Sequence, residues 1–585
     1  MQTPSRFEQV QKTLPEPLRS ALLKDTTYEL TSAWKFFARL EAKTSALVYA
    51  PGYCALPTSL ARHFAHVDVI GPAAEEQALL ADVAAAKALS NLAFLRSPEE
   101  ILAPYSLIVL LPHHNALHDA LLYELLLKLL SVQDGREEWW VAVREVPALK
   151  ITRRGKNFLA RWRTRTALRE LSRNLRLLCA PSMLVRSAQL PQIIHGRLPR
   201  LQQQLQLSPN LAAPKYVAPT QVMREPHRAF AHLRISARAR AEHSMLCYSA
   251  SHAPAFLERL LAHLNRNQAY PWHVGRQYRV LPGGKVQIEL VRDETAVPSA
   301  ALLKLPLITT AAGRMRENAN HLVRLAQAEG LSEEQRRLFP QSLAEGNFET
   351  QPYYLESFLS GRSIDQLPSE QADAALIEKV FAFWFTVQQR MVRHVKVTEH
   401  VFQSVFTDLL ARMQAWLKLE NAERERLQRM QDYWHRTFAG RELGLGIVHG
   451  DFSIKNILIE PGAQQVTGVI DWDLADFFAP PLLDVLHFFV RMDARSFHET
   501  PPAIALRLIQ TKEGLHHQLF RQAEMLHGYE SQDWPGLVML YWLFRMRGYL
   551  GSPKRADAKF LRRQVFDVLA LFEREILSPR VGVVV

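Results

Sequence analysis

The stretch "KNILIE", Pro461-Gly462, "VTGVID" constrains this chain more than any other. Two short apolar runs flank a turn signal. Each is too short for a helix, so the pattern predicts a tight antiparallel hairpin. From about residue 365 onward the remaining chain reads as helix, so this half must seat a small hairpin inside a helical body. In such a hairpin Asn456 and Asp471 lie about equally far from the turn and meet at its open end. Asp451, in "IVHGDFSIKN", sits on the loop just before. Two carboxylates and an amide oxygen therefore gather on one rim. They are proton acceptors or oxygen ligands suited to a hard cation such as Mg²⁺. Phosphoryl transfer needs that combination: a base for the attacking hydroxyl, and metal to neutralise phosphate charge. Asp451 is the candidate base, and Asn456 and Asp471 are the candidate metal ligands. Asp473 is either a second metal contact or a structural acid. His449 is read as a brace for the loop, and Lys455 either reaches a phosphate or points to solvent.

"HGDFSIKN" followed by "IDWD" resembles the catalytic motifs of the aminoglycoside phosphotransferase and choline kinase family, whose fold is protein-kinase-like. The resemblance covers roughly residues 270 to 580. It implies a bilobal kinase-like domain, an N-lobe over 265–361 and a C-lobe over 362–580, that uses ATP and Mg²⁺. "FFAPPLLDVLHF" resembles the family's Asp-Pro…Asp segment, with Ala479 in place of the first acid and Asp484, read as structural, in place of the second. The resemblance further implies that Lys304, in "ALLKLPL", contacts the ATP phosphates and that Glu317, in "RMRENANHL", is its ion-pair partner. Glu356 and its neighbours, in "YYLESFLSG", would hold adenine through backbone groups. Gly283 and Gly284, in the hairpin "QYRVLPGGKVQIELV", would form the turn over the phosphates.

Between about residues 45 and 145 the texture differs. Short apolar strands ("SALVYAP", "VDVIGP", "LAFLRS", "YSLIVLLP", "EWWVAVREV") alternate with Ala/Leu-rich helices. That alternation predicts an α/β, doubly wound parallel sheet. "HSMLCYSAS" is a candidate last strand, and "LSPNLAAPKYVAPT" reads as a loop. The region, taken as 20–255 with a basic helical insertion at about 150–178, resembles the class I S-adenosylmethionine-dependent methyltransferase fold. The ligand positions of that family are poorly kept. Only Gly52 remains of its glycine-rich loop, and Gly71-Pro72 stand where an acid should bind the ribose. The overall expectation is therefore α/β plus α+β: a Rossmann-like domain, read as a scaffold rather than a methyltransferase, followed by a kinase-like one.

A chain of 585 residues exceeds one ordinary core, which suits several domains. No apolar run reaches the ~20 residues of a spanning helix. "MQTPSRFEQVQKTLPEP" has no apolar core, so no signal peptide is expected. Cys54, Cys179 and Cys247 are scattered and odd in number, which fits a reducing cytoplasm and argues against a disulfide framework or zinc site. The net charge of +13 favours anionic partners. Its densest part, Lys150 to Arg176, holds ten Lys/Arg and one acid over apolar residues at roughly helical spacing. This reads as a solvated helix face or as an interfacial helix for an anionic membrane surface at the inner face of the membrane. No zinc-type or aromatic-rich nucleic-acid reader accompanies it.

Three functional readings follow. The first is an ATP- and Mg²⁺-dependent kinase for a hydroxyl of a small molecule or glycan. The second is a bifunctional methyltransferase-kinase modifying an envelope glycan or natural product, with S-adenosylmethionine as a second cofactor. The third is a pseudokinase scaffold binding anionic partners.

Overall fold

A computed structural model describes residues 45–50, 56–111 except 87, 140–144, 202–208, 216–219, 245–249, 255–281, 284–296, 298–367, 373–416, 419–460, 465–496, 514–546 and 565–574, with a few single positions besides. Gly52, Gly283 and the basic segment 150–176 lie outside the described residues. The chain divides into two compact units, Met1–Ile308 and Thr309–Val585.

In the first unit, strand β1 (Ser45–Tyr49) pairs in parallel with β2 (His66–Ile70) on one side and β4 (Leu107–Leu110) on the other. β3 (Leu92–Leu95) extends the sheet beyond β2, and β5 (Trp140–Arg144) extends it beyond β4, both in parallel. Helices α1 (Leu56–Leu60) and α2 (Ala74–Ala86) make the first two crossovers. β4 is continuous Leu, Ile and Val and is buried throughout. Parallel strands covered on both faces require that composition.

Past β5 the pairing turns antiparallel. The next strand is β8 (Met245–Ser249), then β6 (Gln202–Ser208), β7 (Tyr216–Pro219) and β9 (His273–Leu281). The parallel part thus runs 3-2-1-4-5, and β8 enters between β5 and β6. The candidate strand in "HSMLCYSAS" is β8. The loop expected at "LSPNLAAPKYVAPT" is in part a correction: Ser208 ends β6 and Tyr216–Pro219 is β7. The Gln residues of "QQQLQLS" mask a period-two alternation that cross-strand pairing can use. β9 and β10 (Lys285–Val291) form the hairpin expected around Pro-Gly-Gly, and Gly284 takes φ +77° at its turn. β10 pairs in turn with β11 (Ala300–Pro306).

The second unit opens with helix α3 (Thr309–Ala326) and the hairpin β12 (Ser342–Phe348) and β13 (Gln351–Ser357). α3 ends at Ala326, four residues before Gly330. Gly330 passes against the carbonyl oxygen of Arg390, closer than any Cβ would allow. The rest is mostly helical: α4 (Ala374–Met391), α5 (Asn421–Phe438), α6 (Leu482–Ser496), α7 (Gly514–His527) and α8 (Trp534–Met546). Two small three-stranded sheets lie among them. One joins β14 (Arg362–Ser363), β17 (Ile457–Ile459) and β18 (Val466–Val469). The other joins β15 (Arg393–Lys396), β16 (Glu442–Val448) and β19 (Asp476–Ala479).

The core of this unit is aromatic. Trp384 of α4 stacks on Phe452 at 4.5 Å between ring centroids, and Phe381, Phe488 and Phe489 close around them. All five rings are buried. Phe452 follows Asp451 directly, so the largest hydrophobic payload of the unit anchors the loop that carries the candidate base.

Candidate active site

The predicted hairpin is β17–β18. Ile457 faces Val469, and the Ile470 N–H donates to the Asn456 carbonyl at 2.9 Å. The open end therefore brings Asn456 level with Ile470 and delivers Asp471 one residue later. Asp451 joins them through Asn456, whose Nδ2 donates to both the main-chain oxygen and Oδ2 of Asp451, each at 3.0 Å. Both amide protons are spent there, which settles the orientation of the amide and leaves its Oδ1 as the outward oxygen.

Asp484 holds the loop from beneath. Its two oxygens accept the N–H groups of His449 at 2.7 Å and Gly450 at 3.0 Å. It is fully buried, at the N-terminal turn of α6. Gly450 adopts φ +80°, and a Cβ there would collide with the Leu474 carbonyl oxygen. Only glycine meets both demands cheaply.

His449 is a brace. Its Nε2–H donates to the Ile470 carbonyl at 3.0 Å, and its Nδ1 accepts the Asp451 N–H at 3.2 Å. These partners require the neutral ring. Burial pushes its pKa down to about 4, although the charge of Asp451 pulls the other way. A neutral, doubly engaged imidazole ties the base loop to the returning strand.

Asp471 is one of few non-glycine residues among those described with positive φ, at +68°. An L-residue held there stores about 1–3 kcal/mol, which the surroundings must offset. The flanking peptide groups show how. His449 holds the Ile470 carbonyl. Asn318 Oδ1 accepts the Trp472 N–H at 2.9 Å, and His321 Nδ1–H donates to the Trp472 carbonyl at 2.8 Å. The Trp472 indole is buried and donates to the Val469 carbonyl at 2.8 Å. Asp473, two residues beyond Asp471, is also buried.

α3 supplies Asn318 and His321, and sequence reasoning missed both. Glu317, expected to pair with Lys304, lies on the exposed side of α3. The next residue turns inward instead: Asn318 is buried, and its Nδ2 donates to Glu356 Oε2 of β13 at 3.0 Å. One amide thus joins α3, β13 and the Asp471 segment. The available signal was helical phase: Met315, Asn318, Ala319 and Leu322 share a face with 3–4 residue spacing, and Glu317 is off it. Lys304 is 4% exposed on β11 of the first unit, opposite Gln287. Gly284 belongs to the same unit.

Asp451 has one more neighbour. His487 of α6 meets Asp451 Oδ1 at 2.8 Å, and Tyr541 of α8 meets the other ring nitrogen at 3.2 Å. Burial works to raise the Asp451 pKa. The hydrogen bond donated by His487 leads the effects that oppose it, and the carboxyl lies below its ordinary value. Asp451 is therefore an ionised proton acceptor with two fixed donors, and its side chain remains 37% exposed for a third. The oxygens of Asn456 and Asp471 are hard donors. Together they suit a cation of the Mg²⁺ kind, which takes only one or two protein ligands beside substrate phosphates.

Comparison with known proteins agrees with this chemistry. Residues 290–524 match the phosphotransferase enzyme family. The C-terminal half of the chain carries a phosphotransferase domain of kinase-like fold, an enzyme acting on hydroxyl groups. No curated protein matches the chain. Among solved structures, it is similar to aminoglycoside phosphotransferase APH(3'')-Id from Streptomyces rimosus in complex with ADP and streptomycin (15% identity, 49% of this chain and 98% of that one, TM-score 0.29). It is also similar to ADP-bound APH(2'')-Ib (12% identity, 54% and 98%, TM-score 0.32). Over a longer span it is similar to the bifunctional kinase-methyltransferase WbdD (12% identity, 97% and 100%, TM-score 0.22).

Proposed function

We propose that the C-terminal half transfers the γ-phosphoryl group of ATP, with Mg²⁺, to a hydroxyl of a small molecule or glycan. One observation carries the reading: the amide of Asn456 is locked onto the ionised Asp451, while Asp471 is held in a left-handed conformation by bonds on both sides. A scaffold without chemistry has no need for that expense. Asp451 accepts the proton of the attacking hydroxyl. Asn456 Oδ1 and Asp471 would hold the metal, with Asp473 as a further candidate, and the metal would neutralise charge on the transferring phosphate. Lys304 is proposed to contact the nucleotide phosphates, Gly283 and Gly284 to cover them, and the backbone around Glu356 to hold adenine. Glu317, on the exposed side of α3, is proposed as the ion-pair partner of Lys304 on the strength of the resemblance. The inward polar pair in the second unit is Asn318 with Glu356.

The divisions 20–255, 265–361 and 362–580 stand as part of the proposal. The family match begins at residue 290, ahead of Thr309, which supports assigning the strands before Thr309 to the kinase-like part. The cytoplasm is the proposed location, and the scattered cysteines support it. Among the described residues no helix is long and apolar enough to cross a membrane.

A specific observation also favours a methyltransferase-like fold for the first unit. The order 3-2-1-4-5, with an antiparallel strand entering after β5, is that of the class I methyltransferase sheet. Its chemistry is less well supported. The buried acid of β2, Asp68, is already bonded to Tyr105 at 2.7 Å and His66 at 2.9 Å.

Calorimetry tests the two readings separately. The kinase reading expects Mg²⁺-dependent binding of ADP that Asp471→Ala weakens at least tenfold; no heat with Mg-ADP or Mg-ATP would defeat it. Binding of S-adenosylmethionine would revive the bifunctional reading, and no heat would leave the first unit a scaffold.

A further inference from the structure

Three groups lie in line across the second unit. Tyr541, 1% exposed on α8, reaches His487 Nδ1; His487, 5% exposed on α6, reaches Asp451 Oδ1. The directions of the hydrogen bonds follow from the chemistry. An ionised carboxylate only accepts, so Nε2 of His487 carries the proton toward Asp451. In a neutral ring Nδ1 then accepts, and the Tyr541 hydroxyl donates to it. Burial holds His487 below the ordinary histidine pKa. Asp451 pulls it up, and Arg545 and Arg491 push it down again. The neutral ring is the form this position keeps.

From these contacts we propose that His487, braced by Tyr541, is a positioning residue for phosphoryl transfer: it clamps the Asp451 carboxylate in the attitude that receives the acceptor's proton. Asn456 grips Oδ2 and His487 grips Oδ1, from elements far apart in sequence. The carboxylate can neither rotate nor turn its lone pairs elsewhere. Without His487, Oδ1 loses its fixed donor and the base samples orientations that do not face the hydroxyl. Misplacement of this size costs an order of magnitude or more in rate. Tyr541 acts one step back by selecting the Nε2–H tautomer. A histidine inside the apolar run "LLDVLHFFV" is otherwise an expensive residue to bury. The inference rests on the phosphotransferase reading above.

The test has two arms on the full chain. In protein labelled with ¹⁵N-histidine, His487, identified by its loss in His487→Gln, is expected as a neutral Nε2–H ring at pH 7.5. Tyr541→Phe is expected to shift it toward a tautomer mixture. A Nδ1–H ring, an imidazolium, or indifference to Tyr541→Phe would overturn the clamp. In the second arm, phosphate release from Mg-ATP with water as acceptor is compared across variants of matched melting temperature. His487→Leu is expected to lower kcat about tenfold to a hundredfold, with the KM for Mg-ATP within about twofold. His487→Gln keeps a donor and should recover part of the loss, and Tyr541→Phe should lose about threefold to tenfold. Unchanged kcat in His487→Leu, or loss seen only in KM, would refute the role. If the wild type neither binds nor hydrolyses Mg-ATP, the phosphotransferase reading fails, and the nitrogen spectrum alone decides the clamp.

Discussion

At the residue scale the site depends on backbone groups more than on its acids. Asp484 accepts two buried main-chain N–H groups, so Asp484→Ala leaves both without an acceptor. The expected cost is about 2–5 kcal/mol, with near-complete loss of activity, read by denaturant unfolding and an ATP-turnover assay. Asp484→Asn should be milder in stability, because one carbonyl oxygen remains. Gly450→Ala is expected to fail similarly for steric reasons. Acid sensitivity belongs to the same scale. His449 and His527 are buried with pKa values near 4, and among the described residues neither ring nitrogen of His527 has a hydrogen-bond partner. A histidine that titrates near 6.5 unfolded but near 4 folded binds its proton first in the unfolded chain. Stability should therefore fall as pH drops from about 6.5 to 4 and level off below, by roughly 3 kcal/mol for a fully displaced group. His527→Leu should flatten that decline in a series of melting curves. An unchanged slope would show that His527 does not contribute.

At the element scale the hairpin was legible because its turn chemistry, strand length and flanking acids all agreed. The Pro-Gly turn and its two short arms bring Asn456 level with Ile470, one residue before Asp471. Helix α3 was legible as a helix but not in its phase. Glu317 drew attention as the only acid near the middle of the helix, while burial follows the 3.6-residue periodicity that selects Asn318. His321, His487 and Tyr541 were illegible for another reason. Their partners come from segments distant in sequence, and no local spacing announces a contact across 151, 36 or 54 residues. β7 was misread because "KYVAPT" carries two loop-forming prolines' worth of signal nearby and gains its pairing only from β6 and β9. The amide at Asn318 yields a prediction for α3. Asn318→Leu keeps the volume but removes the acceptor for the Trp472 N–H, so the Asp471 segment should relax. Mg²⁺-dependent ADP affinity should weaken about tenfold, with a stability loss of about 1–3 kcal/mol. Equal affinity in calorimetry would show that Asp471 is positioned without it.

At the scale of the whole molecule, sequence texture distinguished a strand-helix alternation over about 45–145 from a mostly helical stretch around a hairpin from about 365 onward. The two ends differ in how well their chemistry is kept. In the second unit Asn456 is bonded to Asp451, and Asp471 follows on the returning strand. In the first unit the buried acid of β2 is occupied by Tyr105 and His66. The measurement that bears most directly on the account is ADP formation from Mg-ATP across a library of hydroxyl-bearing metabolites and glycans, with wild type and Asp451→Asn side by side. At least one acceptor should stimulate the wild type, and Asp451→Asn should lose about 10²–10⁴-fold of that rate while keeping its melting temperature and Mg-ADP affinity. Turnover in Asp451→Asn equal to wild type would contradict the central claim.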